Sequence, residues 1–102
     1  MKRVLVVLAL SSAASMPALA NKELATKNAC MACHAVDKKI LGPAYLDVAK
    51  KYEGKKDALK TVMANIKAGG SGKWGSIAMP AQATLSDADT KTLATWILAG
   101  AK

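Results

Sequence analysis

The run Cys30-Met31-Ala32-Cys33-His34 decides how the rest of this 102-residue chain is read. A C-x-x-C-H pattern is the attachment signature of c-type haem. Cys30 and Cys33 stand at i and i+3, so on a helical turn their sulfurs project from one side and span neighbouring vinyl groups of the porphyrin. Neutral imidazole is a good ligand for haem iron, which accounts for a histidine directly after the second thiol. These are the only two cysteines and the only histidine in the chain. Zinc, a redox dithiol and coincidence each fit the run less well. A structural zinc site takes four Cys or His ligands, whereas this run supplies three, packed too tightly to surround one tetrahedral ion. A thioredoxin-like redox motif needs a βαβ context, and no strand-like alternation lies near it. A chance match would not bring with it an export signal and a second soft donor downstream.

The N-terminus carries that export signal. Lys2 and Arg3 form a charged start, residues 4–10 are an apolar run of seven, and Ala18-Leu19-Ala20 is an A-x-A cleavage site. The apolar run is too short to span a membrane even with residues 11–15 added. No cysteine lies near the cleavage point to carry a lipid anchor. The expected organisation is a signal peptide over 1–20, removed after Ala20, and one domain over 21–102. In a bacterium the mature protein then resides in the periplasm, without stable membrane insertion and as a monomer.

A domain of 82 residues, 21–102, buries little surface and needs a staple. Disulfides are not available, because both thiols are committed to haem. Aromatic side chains are few, with no Phe and only Trp74, Trp96, Tyr45 and Tyr52. A porphyrin burying on the order of 500 Å² of apolar surface contributes up to about 12 kcal/mol before ordering costs. Haem is therefore expected at the centre of the core.

The periodicity is helical throughout, which predicts an all-α fold of about four short helices. The first is expected over 22–33 or 34, with Asn21 as a cap at the new N-terminus and the motif at its end. Residues 35–43 read as loop, punctuated by Gly42-Pro43. Tyr45, Val48, Ala49 and Tyr52 mark a second, amphipathic helix ending near Gly54. Leu59, Val62, Met63 and Ile66 mark a third, with Asp57 as its cap and Gly69-Gly70 as its stop. The last is expected to start at Ser86, in a Ser-x-x-Asp capping run to Asp89, and to show an apolar face of Leu93, Trp96, Ile97 and Gly100.

Residues 69–84, between the third and fourth helices, are irregular, and a second iron ligand belongs there. A thioether is a soft donor that favours ferrous iron. Met1 and Met16 leave with the signal peptide, Met31 lies between the cysteines, and Met63 sits on a helical stripe where core packing is its plain role. Met79 alone is on a loop, with enough chain after His34 to wrap round the ring edge.

The motif at 30–34, Gly42-Pro43-Ala44-Tyr45, the Gly-Ser-Gly-Lys-Trp-Gly run at 70–75, Met79-Pro80 and a closing Ala-x-Trp-Ile-Leu helix occur in one order. In that order they resemble the small bacterial class I cytochromes c over essentially all of 21–102. The resemblance implies one covalently attached haem c within about four short helices, and a soluble periplasmic one-electron carrier. It implies a quinol-oxidising cytochrome complex as electron donor, and a nitrite reductase, terminal oxidase or peroxidase as acceptor. By the same resemblance Pro43 places its carbonyl on the second nitrogen of His34, and Trp74 directs its indole N–H to a haem propionate. A loop stop and plain packing are the simpler roles of these two residues. The chain departs from the pattern twice. Gln82 stands where an Asn able to reach the methionine sulfur is often found, and Asn65 stands where a basic residue sometimes lies near a propionate.

With His34 and Met79 both on iron, no position remains open for oxygen or substrate. One-electron transfer is the expected activity, and no catalytic residue and no enzyme are expected. The alternative is a haem protein that binds a small ligand or reacts with peroxide after Met79 dissociates. The processed chain keeps thirteen lysines against seven acids, a formal +6. Lys27, Lys38, Lys39 and Lys73 lie near the haem-bearing segments and would steer docking to acidic redox partners, unless they are simply solvated surface. Nucleic acid is disfavoured, since the chain is exported and its lysines form no single basic helix.

Overall fold

The computed structural model describes residues 18–102, and most of the expected signal peptide, 1–17, lies outside them. Among the described residues the chain forms four α-helices and no strand: α1 Ala18–Lys27, α2 Tyr45–Tyr52, α3 Ala58–Ala68 and α4 Asp87–Leu98. None is long and apolar enough to cross a membrane.

The first helix differs from its expected extent. α1 stops at Lys27, where Asn28 turns both its side-chain amide and its backbone N–H onto Leu24 O, at 2.9 and 3.2 Å. Ala29 then takes a left-handed conformation, φ 60° and ψ 16°, and the chain re-enters as a separate 3-10 turn, Cys30–Ala32. The haem motif therefore sits on its own short turn and not on the end of a helix. Asn21 is no cap in the unprocessed chain, because α1 already begins at Ala18.

α2, α3 and α4 lie where the apolar spacing predicts. Ser86 caps α4, its Oγ accepting from Asp89 N–H at 3.1 Å. Asp57 stands at the N-cap of α3 without a capping bond, since its φ −98° and ψ 17° leave the extended geometry in which a cap side chain reaches back. Gly100 does not belong to the apolar face of α4. It lies past the helix end at φ 89°, where Gly100 N–H donates to Ile97 O at 3.0 Å and Ala101 N–H to Trp96 O at 2.9 Å. These two bonds form a Schellman closure, in which glycine supplies the positive φ.

α4 is the hub. It packs against each of α1, α2 and α3, while among the described residues those three make no comparable contact with one another. Leu93, Ala94, Trp96 and Ile97 of α4 are buried against Tyr45, Val48 and Tyr52 of α2 and Val62 and Ile66 of α3. Met63 packs on this cluster, as a core role requires. Because α2 and α3 share α4 but not each other, the space between them opens as a cleft.

Candidate haem site

The cleft has a volume of about 400 Å³, within the range of small-molecule and cofactor sites. Its walls are mostly apolar, with Val48 and Tyr52 from α2, Val62 and Ile66 from α3, and Leu93 and Ile97 from α4. Cys30, Cys33, His34, Pro43, Trp74 and Met79 all line it. Side chains separated by up to 49 positions in the sequence thus meet around one space.

His34 is oriented by three neighbours. Its Nδ1 lies 2.8 Å from Pro43 O. A carbonyl can only accept, so Nδ1 carries the proton and the Nε2 lone pair stays free for a metal. Tyr45 stacks on the ring at 5.1 Å between centroids and 20° between planes, and Trp96 meets Tyr45 edge-on at 5.4 Å. The third neighbour is Gly42, where a Cβ would stand 2.7 Å from Nδ1 and 2.9 Å from Nε2 of the imidazole. Any side chain at 42 would displace the ring.

The backbone following the motif also anchors α2. Tyr45 N–H donates to Ala35 O and Leu46 N–H to Val36 O, each at 3.0 Å. These bonds replace the side-chain cap that Ala44 cannot offer. Tyr45 therefore cannot move without moving the segment that carries His34.

Cys30 is half-buried. Burial pushes its thiol up from the ordinary cysteine value, partly offset by a backbone hydrogen bond and by the Tyr45 hydroxyl. Burial likewise raises the Tyr45 phenol, helped by the neighbouring thiol. A redox-active dithiol needs a depressed pKa, so Cys30 is displaced in the wrong direction for thioredoxin-like chemistry. No three His, Cys, Asp or Glu side chains among the described residues are grouped to hold a metal ion.

Met79 is half-buried and paired through its backbone with Gly70. Trp74 is half-buried at the cleft with Lys51 Nζ 4.3 Å from its ring centroid, and Lys51 also reaches Lys73 O at 3.5 Å. Asn65 accepts from Lys73 Nζ at 2.6 Å and donates to the Tyr52 hydroxyl at 3.4 Å. Lys73 is thereby drawn onto Asn65 at the rim of the cleft. Gln82 turns its side-chain amide to Pro80 O at 3.4 Å. Sequence reasoning missed the stack of Tyr45 on His34, although Tyr45 closes the Gly-Pro-Ala-Tyr run that signalled it.

The donor set fits a haem. Two thiols one turn apart, an imidazole with a free Nε2 and a thioether share one apolar cleft, and a hydrophobic porphyrin with two vinyl groups needs that combination. An all-α domain built round such a cleft defines a protein of the haem c class. Residues 18–101 match the cytochrome c family, and the chain belongs to it. It carries one covalently attached haem c. Cytochrome c-552 of Hydrogenobacter thermophilus is 56% identical over 79 residues, 78% of this chain and 80% of that protein. The crystal structure of wild-type Nitrosomonas europaea cytochrome c552 has a TM-score of 0.75 at 51% identity, covering 78% of this chain and 98% of that one. The class 1 cytochrome MtoD of Sideroxydans lithotrophicus ES-1 has a TM-score of 0.70 at 30% identity, covering 86% and 100%. The chain is thus similar to small bacterial class I cytochromes c over 80% or more of their length.

Proposed function

We propose that the protein is a periplasmic one-electron carrier in which Cys30 and Cys33 hold the haem by thioether bonds and His34 and Met79 are its axial iron ligands. The observation that carries this reading is the convergence of all four side chains on one apolar cleft, with His34 Nδ1 committed to Pro43 O. When bound, the haem supplies a reversible one-electron change at its iron. The chain's part is to keep the ligands still through that change. Pro43 O holds the imidazole tautomer and raises ligand basicity, Tyr45 and Gly42 set the ring plane, and the apolar walls exclude water. Trp74, half-buried at the cleft, is suited to donate its indole N–H to a propionate.

Residues 1–20 are the signal peptide, removed after Ala20 to leave 21–102 as the cytochrome domain. The cleft mouth supports docking of another redox protein. Leu41 and Ile77 line it and are 52% and 60% exposed, Lys73 lines it as well, and Lys38 and Lys39 are exposed on the segment that leads to Leu41. Among the described residues the only ion pair is Lys67 with Asp87, so Lys38 and Lys39 hold no described carboxylate, while Lys73 Nζ donates to Asn65. A quinol-oxidising cytochrome complex suits the donor role, and a nitrite reductase, terminal oxidase or peroxidase the acceptor role.

Absorption spectra of both redox states test the reading, because they report covalent haem and methionine ligation together. The reduced protein is expected to be inert to carbon monoxide at neutral pH. Rapid binding would instead favour a ligand-binding or peroxide-reactive protein in which Met79 dissociates.

A further inference from the structure

α3 and the Met79 loop meet at one point. Gly70 N–H donates to Met79 O at 3.0 Å, and Met79 N–H donates to Gly70 O at 2.8 Å. This two-bond pair closes residues 71–78 into an excursion whose base is fixed. The residue beneath the pair is Gly69, the C-cap of α3, at φ 64° and ψ −155°. That conformation is essentially restricted to glycine. A Cβ at 69 would stand 2.7 Å from Ala81 N and 2.8 Å from the Pro80 carbonyl carbon, and nearer still to Met79 O. All three are backbone atoms, so no flexible side-chain end can swing aside. The stretch immediately beyond is also tied to α3, where Gln82 N–H donates to Ile66 O at 3.1 Å.

We propose that Gly69 is a positioning residue for Met79, which rests on the reading of Met79 as an iron ligand. Its lack of a side chain lets the 79–81 backbone lie directly on the end of α3, a helix anchored in the core by Val62 and Ile66. The location of residue 79 is then set at the base of the loop. The tip is held separately, by Lys73 on Asn65 and by Lys51 over Trp74. A side chain at 69 forces the Gly70–Met79 pair to separate or to tilt away from α3, and a ligand held to within about half an ångström does not tolerate that.

The test compares haem-loaded wild type, Gly69→Ala, Gly54→Ala and Met79→Ala. Gly54 also has a positive φ, +74°, but a Cβ there meets nothing within 4 Å. It places a side chain at a positive φ away from the Met79 loop. In Gly69→Ala the methionine-to-iron charge-transfer band should weaken or vanish, the reduction potential should fall, and cyanide should bind the ferric protein about ten-fold faster or more. In Gly54→Ala band, potential and cyanide rate should stay at wild-type values. Wild-type values in Gly69→Ala, or equal changes in both glycine variants, would overturn the positioning role while leaving the ligand reading intact. A charge-transfer band absent from wild type, or one that survives Met79→Ala, would overturn the ligand reading and the proposal with it. Amide hydrogen exchange on wild-type holoprotein gives a second measurement that needs no variant. Gly70 and Met79 amides should exchange at least about ten-fold more slowly than those of residues 73–78, and equal rates would overturn the clasp.

Discussion

Replacing Ala29 by glycine should stabilise the haem-loaded protein. Ala29 stands at φ 60° and ψ 16°, where the Cβ of an L residue crowds the following carbonyl at a cost of roughly 1–2 kcal/mol. The turn cannot easily relax out of that region. Ala29 N–H donates to Thr26 O at 3.1 Å, and its carbonyl accepts from Ala32 N–H at 3.2 Å, joining the end of α1 to the turn that carries both thiols. Ala29 is exposed, so removing its methyl sacrifices no packing. Glycine also loosens the unfolded chain, which offsets the gain by about 0.4–1 kcal/mol. The balance is a stabilisation of about 1 kcal/mol, or a rise in Tm of about 4–8 °C for a domain of this size. Denaturant titration followed by circular dichroism and haem absorbance should show a higher midpoint at unchanged slope. Ala32→Gly is the control, exposed on the 3-10 turn, and should destabilise by about 0.5–1 kcal/mol. An unchanged or lower midpoint for Ala29→Gly, or a rise of equal size for Ala32→Gly, would refute the strain argument.

Three further outcomes follow from the same structure. Ser86→Ala removes the acceptor for Asp89 N–H and should cost about 1 kcal/mol, with Ser86→Asp recovering most of it in a thermal melt. Chain freed of haem should lack a cooperative thermal transition, because the cleft walls would then border a space of about 400 Å³, and at ~24 cal/mol per Å³ a cavity of that size costs up to about 10 kcal/mol. Electron-transfer rates to an acidic partner should fall as salt is added, since the exposed lysines beside the cleft act through a screened field. A rate independent of ionic strength would remove the steering role.

The helices α2 and α3 were legible because each puts apolar residues at i, i+3, i+4 and i+7 against α4, and α4 because Leu93, Trp96 and Ile97 follow a capping serine. The break between α1 and the motif was not. Left-handed residues are usually signalled by glycine or asparagine, and here the conformation falls on an alanine while the asparagine lies one position earlier, capping Leu24 O. Gly100 was misplaced for a related reason, since a small residue in phase with an apolar stripe looks the same whether it continues the helix or ends it. At the site, the identities of Cys30, Cys33, His34 and Met79 could be proposed from their chemistry alone. The geometry that orients them could not. Gly42 against the His34 ring, Tyr45 stacked on it and Gly69 beneath the Met79 backbone are contacts between segments, and only the fold brings those segments together.

Those contacts matter because the core and the site share most of their residues. Val48, Val62, Ile66, Leu93 and Ile97 are buried core and also cleft wall, so most of the scaffold is itself the wall of the site. A group that fills the cleft completes the packing of α2 and α3 across the gap that α4 leaves between them. The two proposed ligands are fixed by backbone more than by side chains. His34 is held through the Pro43 carbonyl and Met79 through the Gly70 pair, and each of these anchors continues into a helix that packs on α4. An electron carrier gains from this arrangement, because a change of one charge at the iron then meets ligands that cannot shift without unpacking the core. The sharing of core and cleft wall, from which the expected dependence of so small a domain on its haem follows, is therefore also what would keep structural change small when the electron arrives.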